Sequence, residues 1–418
     1  MNPIPFLFPL FGWFGNQARP DFFHDRYSSQ GQISLHSEGN FESSHLNGWF
    51  VSQALIGKSF SQADMLSVQA DQQGYASGRW ETAFRYWGLD SAFGGGQWRH
   101  SLGFSNSWIG YASYDADLFG LISRGNAPYA GQTLDLNAGS GFLTNYQTID
   151  FSLARAFSRT NSTWFLSFGL GFVNGSFFRD AQMQGGSFFT HPEGDELRLG
   201  MDRVQLRASD PSGSAFLYPA GLGFSFRGSL EYQHKNGHVV SFSVQDAGLM
   251  FWNRQAQAIE LDSELVWSGF AVPNIAEVGE TLFQEQLDSI GSNLIVSDVR
   301  RSFESVLPVG IRLGYGRRLF QNKALLQAQV HYAPHLMPIP EVELAFYYLG
   351  KGRLNAGISA SGGGVCLWKV GLNVGVDAGR GWSFQLFTRN AESIWPNAAG
   401  RGLSAGFQVS KRILIPKL

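Results

Sequence analysis

A chain of 418 residues is long enough for two or three soluble domains, but with 15% charged residues it has too few charges to cover them. The formal net charge of -2, with Lys and Arg scattered along the chain, offers no basic surface to nucleic acid. A single cysteine, Cys366, excludes internal disulfides and zinc sites of the Cys-cluster type. No stretch reaches the roughly 20 consecutive apolar residues of a membrane helix. The apolar residues instead alternate with small or polar residues along the chain.

Residues 2–15 form an apolar run, which a small residue, Ala18, follows. Its length fits the core of an export signal, although no Lys or Arg precedes it and prolines interrupt it. Residues 1–18 are therefore expected to be either an export signal or an N-terminal arm that plugs the structure. Residues 19–418 are expected to form one domain.

The segment 222–244 shows a pattern that much of the chain repeats. Leu222, Phe224 and Phe226 alternate with small or polar residues, Asn236-Gly237 marks a tight turn, and the alternation then resumes. Such period-2 alternation predicts an all-β protein. The polar face consists mainly of Gly and Ser, which suits the crowded interior of a closed sheet better than a solvated surface. We therefore expect the apolar face to meet lipid.

Short turns alternate with long loops along the chain, as in membrane barrels whose short turns face the periplasm. This order predicts a transmembrane antiparallel β-barrel of about 14 strands, within a range of roughly 12–16, with the N-terminal segment and long loops as candidate plugs of the lumen. The segment 263–270 is expected to extend strands beyond the membrane, and 276–290 to form a short helix, either on the surface or as a lid. The predicted strands are 31–41, 78–90, 98–112, 148–158, 163–174, 221–233, 238–249, 307–317, 324–332, 341–349, 353–361, 365–377, 382–389 and 402–413.

Charged residues on the small-residue face are expected to point into the lumen. Most are expected to pair across strands and brace the wall. The alternative is a polar channel or a binding spot for an amphipathic carboxylate, because a guanidinium binds two oxygens at once. Arg227 and Arg312 are the predicted carboxylate ligands, and Glu231 is a third candidate ligand-binding residue. The full set is Glu81, Arg85, Arg99, Asp150, Arg227, Glu231, Arg312, Lys369, Asp377 and Arg389.

Catalytic and metal-binding patterns are not evident in the sequence. No hydrolase or nucleotide-binding motif occurs in a suitable setting, and the nine histidines show no metal-ligand spacing. His331 is expected to be a hydrogen-bonding group in the lumen. Arg155 falls on the apolar face near a turn, where its side chain can reach the membrane interface. We expect neither an enzyme nor a cofactor.

Three segments carry a resemblance to a known group: SFSVQDAGLMFW (241–252), SVLPVGIRLGYGRRL (305–319) and GWSFQLFTRNAESIWPNAAGRGLSAGFQVSKR (381–412). They resemble Bacteroidota outer-membrane barrels of a family of unknown function that is distantly similar to FadL-like long-chain fatty-acid transporters. The resemblance implies a barrel with a plugged lumen in the outer membrane of a Gram-negative cell.

Two functions follow as expectations. The first is FadL-like transport of small hydrophobic or amphipathic molecules, with membrane lipids and a hydrophobic ligand as partners. The second is a non-transporting barrel that acts as a membrane anchor or accessory subunit of a surface or secretion assembly, with other outer-membrane proteins as partners. The long loops would be lids in the first case and a docking surface in the second.

Overall fold

The computed structural model describes residues 30–47, 73–90, 98–136, 139–210, 214–215, 218–267, 297–320, 323–349, 354–394 and 400–414. These ranges consist mainly of antiparallel β-strands. Helical structure within them comprises α1 (Ala116–Arg124) and the 3₁₀ segments Ala127–Tyr129 and Ala391–Ile394. None of the helices in these ranges is long and apolar enough to cross a membrane. Residues 1–18 and the predicted helix at 276–290 lie outside the described residues.

Fourteen strands form a closed antiparallel barrel, which confirms the predicted fold and strand number. Numbered in chain order, the barrel strands are β1 (Gln30–Ser43), β2 (Gly74–Asp90), β3 (Trp98–Tyr114), β5 (Gly139–Ser158), β6 (Ser162–Thr190), β10 (Gly221–His234), β11 (His238–Trp252), β15 (Gly310–Leu319), β16 (Ala324–Tyr332), β17 (Glu341–Leu349), β18 (Leu354–Gly363), β19 (Cys366–Gly379), β20 (Trp382–Thr388) and β21 (Gly402–Leu414). The remaining strands are β4 (Thr133–Asp135), β7 (Leu197–Ala208), β8 (Ser214–Ala215), β9 (Tyr218–Pro219), β12 (Gln257–Trp267), β13 (Ser297–Arg300) and β14 (Phe303–Val306). The barrel closes where β1 pairs with β21, with Gln30 opposite Leu414.

The barrel strand predicted at 307–317 spans Gly310–Leu319 in the structure, and a separate short strand, β14, precedes it. β14 and β15 both pair with β11, one after the other, and residues 307–309 between them are not in the ladder. This gap contains Pro308, which has no N–H to donate to a neighbouring strand. The predicted barrel strand is therefore present as β15, and the proline separates it from β14, which pairs with the preceding part of the same neighbouring strand.

Part of the sheet continues beyond the barrel at the long-loop end. The strand β6, predicted to end at 174, reaches Thr190, because its last 12 residues pair with β7. In turn, β7 pairs with β12, and β12 pairs with β13. An ion pair ties the extension together, with Arg207 Nε donating to Asp180 Oδ1 at 2.9 Å. The segment 263–270, expected to extend strands beyond the membrane, lies in β12 as far as Trp267.

The two faces of the barrel are reversed relative to those of a soluble protein. Leu170 on the outer surface is 67% exposed, whereas the lumen-facing Asp150 is fully buried. An apolar outer surface and a polar interior are what a barrel in lipid requires. Near the short-turn end, the Arg155 guanidinium lies over the rings of Trp98 (5.3 Å) and Phe157 (4.9 Å). This arrangement agrees with the expected interfacial arginine.

Candidate ligand site in the barrel lumen

A cavity of about 120 Å³ lies inside the barrel. Its wall is formed by residues of both halves of the chain, from β1 to β21. Four guanidinium groups line it, and Arg227 and Arg312, predicted from the sequence as carboxylate ligands, are two of them. The charged residues of the wall are Arg79, Glu81, Arg85, Arg227, Asp246 and Arg312.

Asp150 of β5 is the centre of one group of ion pairs. Arg85 Nη2 lies 3.1 Å and Arg227 Nη1 lies 3.3 Å from Asp150 Oδ1, although β2 and β10 are not neighbours of β5. Glycines occupy the intervening strands, Gly103 on β3 and Gly169 on β6. A Cβ at Gly103 would lie 2.5 Å from Asp150 Oδ1, and one at Gly169 would lie 3.0 Å from Arg227 Cγ. The small residues of the inner face therefore let charged side chains reach across a whole strand.

Asp246 of β11 lines the cavity, although the sequence pattern did not predict it as a lumen charge. It lies 3.1 Å from Arg79 Nη2 and 3.7 Å from Arg227 Nη2, and Arg79 also contacts Glu81 at 2.6 Å. Strict alternation would direct Asp246 toward lipid. In the structure Gln245 and Asp246 together stand opposite Arg227, and Asp246 has a φ of 55°. This β-bulge turns its carboxylate into the lumen.

A second ionic cluster lies near the long-loop ends of the strands. Lys369 Nζ contacts Glu42 Oε1 at 2.8 Å and Glu341 Oε2 at 2.7 Å, and Arg389 Nη2 contacts Glu341 Oε1 at 2.6 Å. All four side chains are at least nine-tenths buried. Lys369 and Arg389 were expected to be lumen charges. Their acidic partners were missed because both acids lie at strand ends.

The third predicted ligand-binding residue, Glu231, is not among the described residues that line the cavity. It is buried farther toward the short-turn end and accepts a hydrogen bond from Gln233 Nε2. His331 is buried in the lumen and stands opposite Arg312 in the ladder, as expected for a lumen-facing histidine. The structure therefore brings Arg227 and Arg312 to one cavity and places Glu231 elsewhere.

An apolar cluster fills the lumen near the long loops. The connection between β16 and β17 folds into it through Leu336 and Met337, so this loop contributes to closing the lumen. Tyr146 belongs to the cluster and also lines the cavity, so the two regions are adjacent. The cluster consists of Ile109, Tyr146, Val173, Phe178, Ala220, Met250, Trp252, Ala256, Leu307, Ala333, Leu336 and Met337.

The closed sheet, its apolar outer surface and its polar lumen define an integral membrane β-barrel in contact with lipid. The chain belongs to the Family of unknown function (DUF5723), whose model matches residues 57–388. No curated protein matches the chain.

Several solved structures are similar to this chain. The toluene transporter TodX of Pseudomonas putida is 11% identical, with 92% of this chain and 90% of that chain covered and a TM-score of 0.43. A FadL homologue of Pseudomonas aeruginosa is 9% identical, with 92% and 89% covered and a TM-score of 0.38. The translocator domain of the autotransporter NalP from Neisseria meningitidis is 10% identical, with 92% and 88% covered and a TM-score of 0.35.

Proposed function

We propose that this chain is a FadL-like barrel of the Gram-negative outer membrane that binds small hydrophobic or amphipathic molecules and passes them through its lumen. The observation that carries the proposal is the contact between two chemically different regions at Tyr146, which belongs to the apolar cluster and lines the arginine-rich cavity. An amphipathic molecule needs an apolar region for its tail next to a polar region for its head group. The proposal includes no catalytic step and no cofactor.

The ligand's apolar part would occupy the region now filled by Leu336 and Met337 of the β16–β17 connection. Methionine is unbranched and repacks readily, so this loop is suited to make room for a varied apolar group. An anionic head group would then face the guanidinium groups of Arg227 and Arg312, which bind oxygens through several N–H donors. The loop would act as a lid that the ligand displaces.

The test is uptake of octanesulfonate into phospholipid vesicles that contain the full chain. This amphipath stays ionised, so it crosses lipid slowly and a protein-dependent rate is measurable. We expect Leu336→Trp, which enlarges a buried lid residue, to slow uptake. Ile339→Trp is the matched control, because Ile339 lies in the same connection and is 55% exposed. Uptake equal to that of protein-free vesicles would contradict transport.

The second candidate function is a non-transporting anchor or accessory subunit. Two features support it: the Arg79–Asp246 ion pair obstructs the lumen, and the β6–β7–β12–β13 sheet provides a surface beyond the barrel. Gentle detergent extraction followed by native mass spectrometry separates the two functions. A stoichiometric protein complex, combined with no octanesulfonate uptake, would favour the accessory role. A barrel that purifies alone with acyl-chain ligands would favour transport.

A further inference from the structure

We infer that the rim of short turns between β5 and β16 binds the head groups of anionic phospholipids. The inference goes beyond the proposed function, because it concerns the outside of the barrel and does not require transport. It depends on the charge of this rim, on the position of its cations relative to the apolar outer surface, and on an exposed aromatic side chain among them.

The short-turn ends of six neighbouring strands, β5, β6, β10, β11, β15 and β16, form one continuous surface. Hydrogen bonds join their turns: the Lys235 N–H donates to the Asn161 carbonyl at 2.9 Å, and the Arg318 N–H donates to the Gly237 carbonyl at 2.7 Å. We call this surface the basic rim. Its basic residues are Arg155, Arg159, Lys235, Arg317, Arg318 and Lys323.

Acidic side chains do not offset this charge at the surface. The exposed basic residues are Arg159, Lys235, Arg317 and Lys323. In the described segments of the rim, 155–164, 231–240, 315–320 and 323–324, the one carboxylate belongs to Glu231, which is buried. The whole chain has a formal net charge of -2, so the basic rim is a local feature. Clusters of Lys and Arg at a membrane surface attract anionic lipids.

The cations of the rim begin where the apolar outer surface ends. On β15, Leu313 and Tyr315 face outward, and the next residue on that face is Arg317. His238 stands opposite Arg317 in the ladder, and its Nδ1 lies 2.8 Å from the Tyr315 hydroxyl oxygen. Arg155 occupies the corresponding place on the outer face of β5. Aromatic and cationic side chains at the end of an apolar band lie at the level of the lipid head groups.

An exposed phenylalanine follows Arg317 and Arg318 at the end of β15. Phe320 is 71% exposed, and its φ of 50° is unusual for a bulky residue. Its carbonyl accepts a hydrogen bond from the Lys323 N–H at 3.2 Å, so basic residues lie on both sides of the ring. Aromatic side chains combined with Lys and Arg are typical of segments that bind a lipid surface. This part of the rim therefore offers an apolar group as well as charge.

The sideways position of the cations favours lipid over a soluble partner. Arg155 and Arg317 lie on the outward rows of their strands, so in a membrane their neighbours are lipid molecules. A soluble acidic protein would reach only the turns at the end of the barrel. In a barrel whose short turns face the periplasm, the bound lipid is an anionic phospholipid of the periplasmic leaflet.

The test is native mass spectrometry of the full chain, extracted with mild detergent from vesicles that contain equal parts of dioleoylphosphatidylglycerol and dioleoylphosphatidylcholine. The two lipids have the same acyl chains, so a difference in retained lipid reports the head group alone. We expect phosphatidylglycerol to be enriched about fivefold or more over phosphatidylcholine. The rim variant, which combines Lys235→Gln, Arg317→Gln and Lys323→Gln, should retain the two lipids equally.

The matched control combines Arg198→Gln, Arg300→Gln and Arg301→Gln. It removes three exposed cations at the long-loop end, so the enrichment should persist. A charge-preserving variant, with Lys235→Arg, Arg317→Lys and Lys323→Arg, should also keep the enrichment, because the attraction depends on charge.

Equal retention of the two lipids by the unaltered chain, or the same loss of enrichment in the rim variant and the control, would overturn the inference. An acidic periplasmic protein that binds the rim, with no enrichment of phosphatidylglycerol, would also overturn it. Octanesulfonate uptake by the rim variant should equal that of the unaltered chain. Failure of the proposed transport and failure of the lipid site are therefore distinguishable.

Discussion

Arg79 and Asp246 form an ion pair of 3.1 Å that crosses the lumen from β2 to β11. On one side of the barrel, β3, β5, β6 and β10 lie between these two strands, so the contact joins opposite parts of the wall. Asp246 reaches this position from a left-handed backbone conformation, with a φ of 55°. The barrel interior is therefore braced by a side chain that the β-bulge in β11 turns into the lumen.

Asp246→Asn tests this brace. Asparagine keeps the side-chain size and tolerates a left-handed backbone, but it removes the charge that faces Arg79 and Arg227. We expect the free energy of unfolding to fall by about 3–5 kcal/mol, because buried guanidinium groups lose a partner. Urea unfolding in phospholipid vesicles measures it. Asp202→Asn, at an exposed position on β7, should change stability by no more than about 0.5 kcal/mol, and equal losses in the two variants would refute the brace.

The space that Gly103 leaves beside Asp150, because glycine has no side chain, gives a second prediction. A valine at Gly103 would place its Cβ 2.5 Å from Asp150 Oδ1, so the Arg85–Asp150 ion pair must shift. The expected loss is about 1–3 kcal/mol of unfolding free energy, as for other overpacked sites. Gly78→Val is the matched control, since a Cβ there meets its nearest atom at 3.6 Å. Equal stability of the two variants would show that the barrel does not need a residue without a side chain at position 103.

Lys369→Ala should destabilise the barrel strongly. The lysine is buried between Glu42 and Glu341, and its removal leaves two carboxylates in the lumen with less compensation. We expect a loss of about 3–5 kcal/mol in the same unfolding assay. Lys411→Ala removes a lysine that contacts the ring of Trp382 at 4.8 Å, and it should cost no more than about 1 kcal/mol. A small effect at Lys369 would mean that water enters the cluster.

The orientation of the outer face predicts a dependence on depth in the membrane. Leu170 lies midway along the apolar row of β6, whereas Leu367 is next to the turn between β18 and β19. Both are well exposed on the surface. Leu170→Arg should cost about 2–4 kcal/mol of folding free energy into lipid vesicles, and Leu367→Arg only about 0–1 kcal/mol. Equal costs would show that Leu170 does not face the hydrocarbon core.

The candidate site was predictable in part. Arg227 and Arg312 were assigned to the lumen by parity, because alternate residues of a strand point to the same face. The same rule failed at Asp246, since the bulge at Gln245 and Asp246 changes the parity of β11 locally. Which lumen charges contact one another was not predictable, because Arg85 and Asp150 are far apart in the chain and meet only through the register of three strands.

The sequence by itself determined the all-β character, the apolar outer surface and the number of barrel strands. These properties depend on local alternation and on the lengths of the connections, which are visible residue by residue. Tertiary structure alone decided the cavity, the buried ion pairs around Asp150 and Lys369, and the extension of β6 beyond the barrel. Each of these depends on barrel closure and strand register, which bring together side chains from distant segments, and alternation within one strand carries no information about its partners.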